Sequence, residues 1–309
     1  MRLVPFIATL ALACTTWTAQ ALPAWAADGK AVTIPVHEAS GDVAQMDATY
    51  FLPPGRGPFP VVLFSHGRAG SAADRAGVEV GVSKAQLSYW LAKGVAVVSP
   101  VRPGYGHSTG GDVEDSGVRH DSAGRCVNKP DFAKTADAAV LSVSATLAWL
   151  RDQPWADTRD VLLVGQSVGG MATVAAGSLG LAGVVGYVNF AGGSGGNPEK
   201  SKGVSCDPRQ IQSMVARYGK TTHVPNLWIY AVNDQYWGPD EPVDWHAAFA
   251  KASDSPTTFV HAEPVPDGDG HGLSRHAAAL WAPAVDAFLA RIAFPGKVAV
   301  APGASAGQH

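Results

Sequence analysis

Charge is what this sequence has least of. Only 16% of its 309 residues are Asp, Glu, Lys or Arg, and the formal net charge is −3. No basic excess is present to neutralise phosphates, so nucleic acid is excluded as a partner class. Cysteine is scarce, with three in the chain. Neither Cys126 nor Cys206 has a cysteine or histidine close by at ligand spacing, so no zinc site is expected. Long apolar runs are missing too: beyond the N-terminal segment, no stretch is long enough to cross a bilayer. Glycine (35) and proline (22) are abundant instead. With charge this low, the composition implies many loops around a large sheet core. The length suits one large α/β domain or two small ones.

The first 26 residues read as a targeting segment. Arg2 supplies the positive end, Leu3 to Cys14 the apolar region, and Ala24-Trp25-Ala26 a small-x-small cleavage site. Cleavage is expected after Ala26, with Ala19-Gln20-Ala21 as second choice, which predicts a secreted or periplasmic protein. Ala11-Leu12-Ala13-Cys14 is a faint lipoprotein signal without the usual leucine, so contact with a membrane is expected only if Cys14 is lipidated. Cleavage removes Cys14. The remaining pair, Cys126 and Cys206, is most simply one disulfide in an oxidising compartment, with two free thiols as the alternative.

The chain is organised around Val161-Leu162-Leu163-Val164-Gly165-Gln166-Ser167-Val168-Gly169-Gly170. An apolar strand runs into Gly-x-Ser-x-Gly, and a small apolar helix, Met171 to Leu179, follows. Such a turn lifts a serine hydroxyl above the sheet edge and leaves the next N–H free to hold an oxyanion. The same pattern surrounds Ser108, Ser194 and Ser305. Ser305 lies in a Pro/Gly/Ala tail, Ser194 in a glycine run, and Ser108 before a polar, acidic loop. Only Ser167 has a strand before it and a helix after, so Ser167 is the candidate nucleophile.

Around it, strand and helix patterns alternate. Ala31 to Pro35 and Met46 to Leu52 read as edge strands. Pro60 to Ser65, Val95 to Ser99, Gly183 to Phe190, Asn226 to Val232 and Thr257 to His261 read as core strands. Helices are expected over Val82–Lys93, Ala133–Arg151, Gln210–Tyr218, Glu241–Ala252 and His276–Ala290, the last capped by Ser274. This alternation predicts an α/β fold with a mostly parallel sheet. One domain is expected over residues 27–293, with a small cap-like insertion over 191–224 after the sixth strand and a disordered tail over 294–309. Cys126 and Cys206 both fall in loops leaving the same sheet edge, where a bridge would tie two walls of a pocket together.

Activating a serine takes a base, and the base takes an orienting carboxylate. Asp234 directly follows one strand and His271 lies between Gly270 and Gly272 after the next. Asp244 falls inside a helix. Asp267 and Asp269 are too near His271 in sequence for the usual geometry, although either could line the site. His261 sits in a strand and His276 on the last helix. The order Ser167, Asp234, His271, at the ends of three successive strands, is that of an α/β-hydrolase triad. His66-Gly67-Arg68 follows a strand as well, which makes the N–H of Arg68 the expected oxyanion donor beside that of Val168. Tyr105, Tyr236 and Trp237 follow strand ends, so they either line the cleft or pack beneath it.

With Phe64-Ser65-His66-Gly67, Gly104-Tyr105-Gly106-His107-Ser108, Gly165-Gln166-Ser167-Val168-Gly169-Gly170, Asn233-Asp234 and Asp269-Gly270-His271-Gly272, the chain resembles the dienelactone-hydrolase-like group of α/β-hydrolases. The resemblance spans roughly Val32 to Ile292. It implies the α/β-hydrolase fold, an eight-stranded, mostly parallel sheet flanked by helices, and ester hydrolysis through an acyl-enzyme. The group's namesakes use cysteine as nucleophile, whereas this elbow holds serine, which favours a serine esterase over a lactonase. The expected partner is a small-molecule ester, with no metal or organic cofactor, and activity should fall below the histidine's pKa. A serine peptidase of similar fold is the runner-up, disfavoured because no large gating domain is evident. A non-catalytic binding protein on this scaffold should lack a triad member, and all three are present. Oligomeric state is not encoded in any of these features.

Overall fold

The computed structural model describes residues 29–296. The cleavage site, Cys14 and residues 297–309 of the expected tail lie outside them.

Strands form where apolar runs allow burial on both faces. β3 (Phe59–Ser65), β4 (Ala96–Pro100) and β9 (Asn226–Ala231) are buried at every position. β1 (Lys30–His37) and β2 (Val43–Phe51) instead alternate between buried and exposed residues, the pattern of strands with one wet face. β5 (Ala156–Gln166), β6 (Val184–Phe190) and β10 (Thr257–Ala262) complete an eight-stranded sheet in the order β1-β2-β4-β3-β5-β6-β9-β10. β1, β2 and β4 pair antiparallel, and every other neighbouring pair is parallel.

Helices cover both faces. Below one face lie α3 (Phe132–Leu150), α4 (Val168–Gly177), α5 (Pro208–Gly219) and α6 (Glu241–Ala252). They bury Phe132, Met171, Met214 and Trp245 with Val61 and Leu63 of β3. On the other face, α2 (Lys84–Ala92) and α8 (Ala278–Ile292) bury Trp90, Trp281 and Phe288 with Val62 and Phe64 of the same strand. The side-chain period of two thus feeds both layers. Ser83, Asp131 and Asp207 cap α2, α3 and α5 through N–H groups three residues on. A five-residue turn, α1 (Ala72–Ala76), precedes α2.

Two expectations change. Ser274 is not the cap of the last helix. It lies buried inside a short turn, α7 (Leu273–His276), and α8 starts only after Ala277. The chain is already helical there because the His271 loop winds directly into α7. Phe294, placed in the tail by composition, is buried in the second layer, and the N–H of Gly296 donates to Asp160 (2.7 Å).

Within 191–224, a two-stranded hairpin, β7 (Gly196–Asn197) and β8 (Ser201–Ser205), precedes α5. Cys206 at its end is bonded to Cys126 of the long 101–131 loop, with Cα atoms 5.5 Å apart.

Candidate active site

The elbow is a backbone device. Between β5 and α4, Ser167 adopts φ 58° and ψ −126°, a conformation that costs an L-residue about 1–3 kcal/mol. Its own N–H donates to the Phe190 carbonyl (2.9 Å) and its carbonyl accepts from Met171 (3.0 Å), which holds the turn at both ends. Two glycines make room for it. A Cβ on Gly169 would sit on the carbonyl oxygens of Ser65 and His66, and one on Gly165 would meet the Gly169 carbonyl.

Asp234 follows β9, buried at 3% exposure. Its Oδ1 accepts the N–H groups of Tyr236 (2.8 Å) and Trp237 (3.2 Å). Its Oδ2 lies 3.0 Å from His271 Nδ1. In the neutral ring, a carboxylate there places the proton on Nδ1 and leaves the Nε2 lone pair free. The Tyr236 ring stacks on the imidazole at 4.0 Å, and Trp237 meets it edge-on at 5.4 Å.

Three residues outside the expected set hold this arrangement. Asp269 Oδ1 accepts from the N–H of Gln235 (2.8 Å) and of His271 (2.9 Å), joining the acid loop to the base loop. Asn233 bonds the backbone of Val265 and Gly268 on the histidine's approach. Gln166 Nε2 donates to the His271 carbonyl (3.2 Å). Asp269 and Asn233 sit in the motifs around the triad; nothing local in the sequence marks their cross-links.

Ser167 and His271 line one cleft of about 460 Å³ with His66, Gly67, Arg68 and Tyr236. Among the described residues, no hydrogen bond joins the Ser167 hydroxyl to His271. Such contacts often tighten only when substrate enters. The N–H groups of Arg68 and Val168 have no protein acceptor among the described residues. The space beside Gly67 abuts Gln166 Oε1 and Ser167 Cβ, which puts the His66-Gly67-Arg68 loop against the elbow.

That loop is gripped from behind. His66 is buried, and burial followed by the nearby Arg102 charge holds its pKa well below the ordinary value. The neutral ring bonds the Gly67 carbonyl through Nδ1 (2.7 Å) and accepts the Arg102 N–H at Nε2 (3.1 Å). The Arg102 guanidinium reaches the carbonyls of His66 (2.6 Å) and Gly67 (3.3 Å) and pairs with buried Glu114. Burial works against the Arg102 charge, but Glu114 outweighs it and raises the pKa.

Two of the aromatic candidates are packing residues. Tyr105 is 1% exposed, its hydroxyl turned back onto Glu114 (2.8 Å), because a buried ion pair needs its remaining acceptors satisfied. Burial, the first cause, pushes its pKa up to about 12. Trp237 is 2% exposed and its indole N–H donates to Ala191 (2.8 Å). Tyr236 does line the cleft. The disulfide forms between the expected partners, but neither Cys126 nor Cys206 borders the cleft, so the bridge pins the hairpin to the 101–131 loop instead of joining pocket walls. His120 Nε2 lies 3.3 Å from Cys206 Sγ. Under the acid loop, Glu241 accepts from the Ser205 N–H at 3.1 Å. Burial, with the charges of Asp234 and Asp244 adding to it, raises its pKa to about 7.

No family model matches the sequence, and no curated protein matches it. Solved structures do match in fold. An esterase of Pyrococcus furiosus superposes with a TM-score of 0.57 at 14% identity, over 86% of this chain and 91% of its own. An acetyl xylan esterase from Paenibacillus sp. R4 gives 0.52 at 14% identity, over 87% and 90%. A puromycin-hydrolysing peptidase of Mycobacterium tuberculosis gives 0.54 at 17% identity, over 90% of this chain but 41% of its own. The fold is that of the α/β-hydrolases.

Proposed function

We propose that this protein is a serine hydrolase that cleaves carboxylic esters through an acyl-enzyme, of the dienelactone-hydrolase-like kind with serine as nucleophile. The observation that carries the reading is the 3.0 Å contact of His271 Nδ1 with buried Asp234, in the cleft where Ser167 stands on a positive-φ elbow. His271 Nε2 takes the Ser167 proton as the oxygen attacks the ester carbonyl, and Asp234 steadies the imidazolium. The N–H groups of Val168 and Arg68 receive the oxyanion. His271 then protonates the leaving alcohol, and water repeats the sequence to release the acid.

The cleft walls combine Val78, Val80 and Val82 with the charged side chains of Arg68, Asp74 and Arg275, the polar edge of Ser83 and the ring of Tyr236. The matched peptidase supports a second reading, hydrolysis of amides by the same triad. Turnover of p-nitrophenyl butyrate against an aminoacyl p-nitroanilide separates the two. Loss of ester turnover in Ser167→Ala is the expected result, and an unchanged rate would overturn the reading.

Export completes the proposal: Met1 to Ala26 acts as a signal peptide, and the protein works outside the cytoplasm. The Cys126–Cys206 bond supports an oxidising compartment. A mature N-terminus at Ala27, read by mass spectrometry of the exported protein, is the expected outcome.

A further inference from the structure

Buried ion pairs are costly, and an Arg–Glu pair directly behind a catalytic loop calls for a reason. Arg102 and Glu114 are 1% and 2% exposed at their side chains. Neither lines the cleft, and neither touches Ser167, Asp234 or His271 among the described residues. Beyond Glu114, the Arg102 guanidinium lies over the Tyr105 ring and donates to main-chain oxygens of two successive residues, His66 and Gly67, while its own N–H donates to the His66 ring. His66 adds a second donor to the same Gly67 oxygen.

In a trans peptide, the carbonyl of one residue and the N–H of the next point in opposite directions. The Gly67 carbonyl faces Arg102 and the His66 ring. The Arg68 N–H of that peptide therefore points the other way, and no protein acceptor meets it among the described residues. A Cβ placed on Gly67 would lie 3.2 Å from Ser167 Cβ. We infer that Arg102, neutralised by Glu114 and aided by His66, is a positioning residue that aims the Arg68 N–H into the oxyanion hole. The guanidinium also draws charge onto the Gly67 oxygen, which strengthens the N–H as a donor through the shared peptide. Tyr105 completes the device by bonding Glu114, so the carboxylate stays turned toward Arg102.

This rests on the ester reading above. It predicts a defect confined to the tetrahedral state. Replacing both charges together, Arg102→Met with Glu114→Gln, avoids a lone buried charge. kcat on p-nitrophenyl butyrate should fall roughly 10- to 100-fold, less than for outright loss of a donor, with KM nearly unchanged. The inhibition constant of an aryl trifluoromethyl ketone, which forms a tetrahedral adduct, should rise by the same factor. Arg102→Lys keeps the charge but loses the forked grip, so it should fall between wild type and the double variant. Equal kcat and equal ketone affinity in the variants would overturn the inference, as would a loss carried by KM alone. A wild-type measurement covers the case of variants that do not fold: the Arg68 amide proton should move downfield when the ketone adduct forms, and an unmoved resonance overturns the assignment. If wild type turns over no ester, the ester reading fails; if wild type is active and the variants match it, only the positioning role falls.

Discussion

The two halves of the site are held by different physics. The candidate nucleophile and base stand on backbone geometry and hydrogen bonds to main-chain N–H groups: a strained elbow, two close-packed glycines, and Asp269 bridging two loops. The candidate oxyanion loop is held by a desolvated ion pair whose members lie 12 residues apart in sequence, with Arg102 36 residues from His66. A charged brace differs in that removing one partner leaves a buried charge behind. Each half should therefore fail differently under mutation.

Ser167→Ala should have the largest effect, a loss of at least about 10⁴-fold in kcat on a p-nitrophenyl ester with the fold intact. Gly169→Ala comes next. Its Cβ meets the Ser65 and His66 carbonyls, so it should destabilise by about 1–3 kcal/mol by overpacking and misplace the serine; urea unfolding with ester kinetics checks both. Asp269→Ala removes an acceptor shared by two N–H groups. It should lower kcat by roughly tenfold and cost about 1–3 kcal/mol in the same assays. Breaking the disulfide with Cys126→Ser and Cys206→Ser should do the reverse. Closing a separation of 80 residues stabilises by about 4–5 kcal/mol in the chain-entropy picture, so thermal stability should drop while kcat hardly moves, because neither cysteine borders the cleft.

The smallest effect concerns pH. Glu241 has its folded pKa raised to about 7. A carboxyl raised on folding binds its proton more tightly in the native state, so its contribution is complete below the unfolded pKa and is lost as pH rises from about 4.5 to about 7. The stability difference between wild type and Glu241→Gln, followed by thermal unfolding, should shift against wild type across that window. A flat difference would remove Glu241 from the account.

Much of this was legible in the chain. Ser167 and Asp234 closely follow apolar strands and His271 comes nine residues after the next one, so local pattern and chain order bring the three forward as candidates, and the structure places Asp234 and His271 3.0 Å apart. The core strands follow from uninterrupted burial for the same reason. Other features depend on distant partners. Tyr105 follows a strand end like Tyr236, yet it turns inward because Glu114 waits there, and the polar loop holding Glu114 carries no periodicity to reveal it. Trp237 was equally ambiguous: its indole N–H found the Ala191 carbonyl, a contact 46 residues away. Asp269 looked too close to His271 to serve as the acid. That nearness is what lets it brace the loop.

The most direct test of the central claim is peptide mapping after treatment with a fluorophosphonate probe. A single adduct on Ser167, lost in His271→Ala, is the predicted result; an adduct on another residue, or none on a protein that still hydrolyses esters, would contradict it.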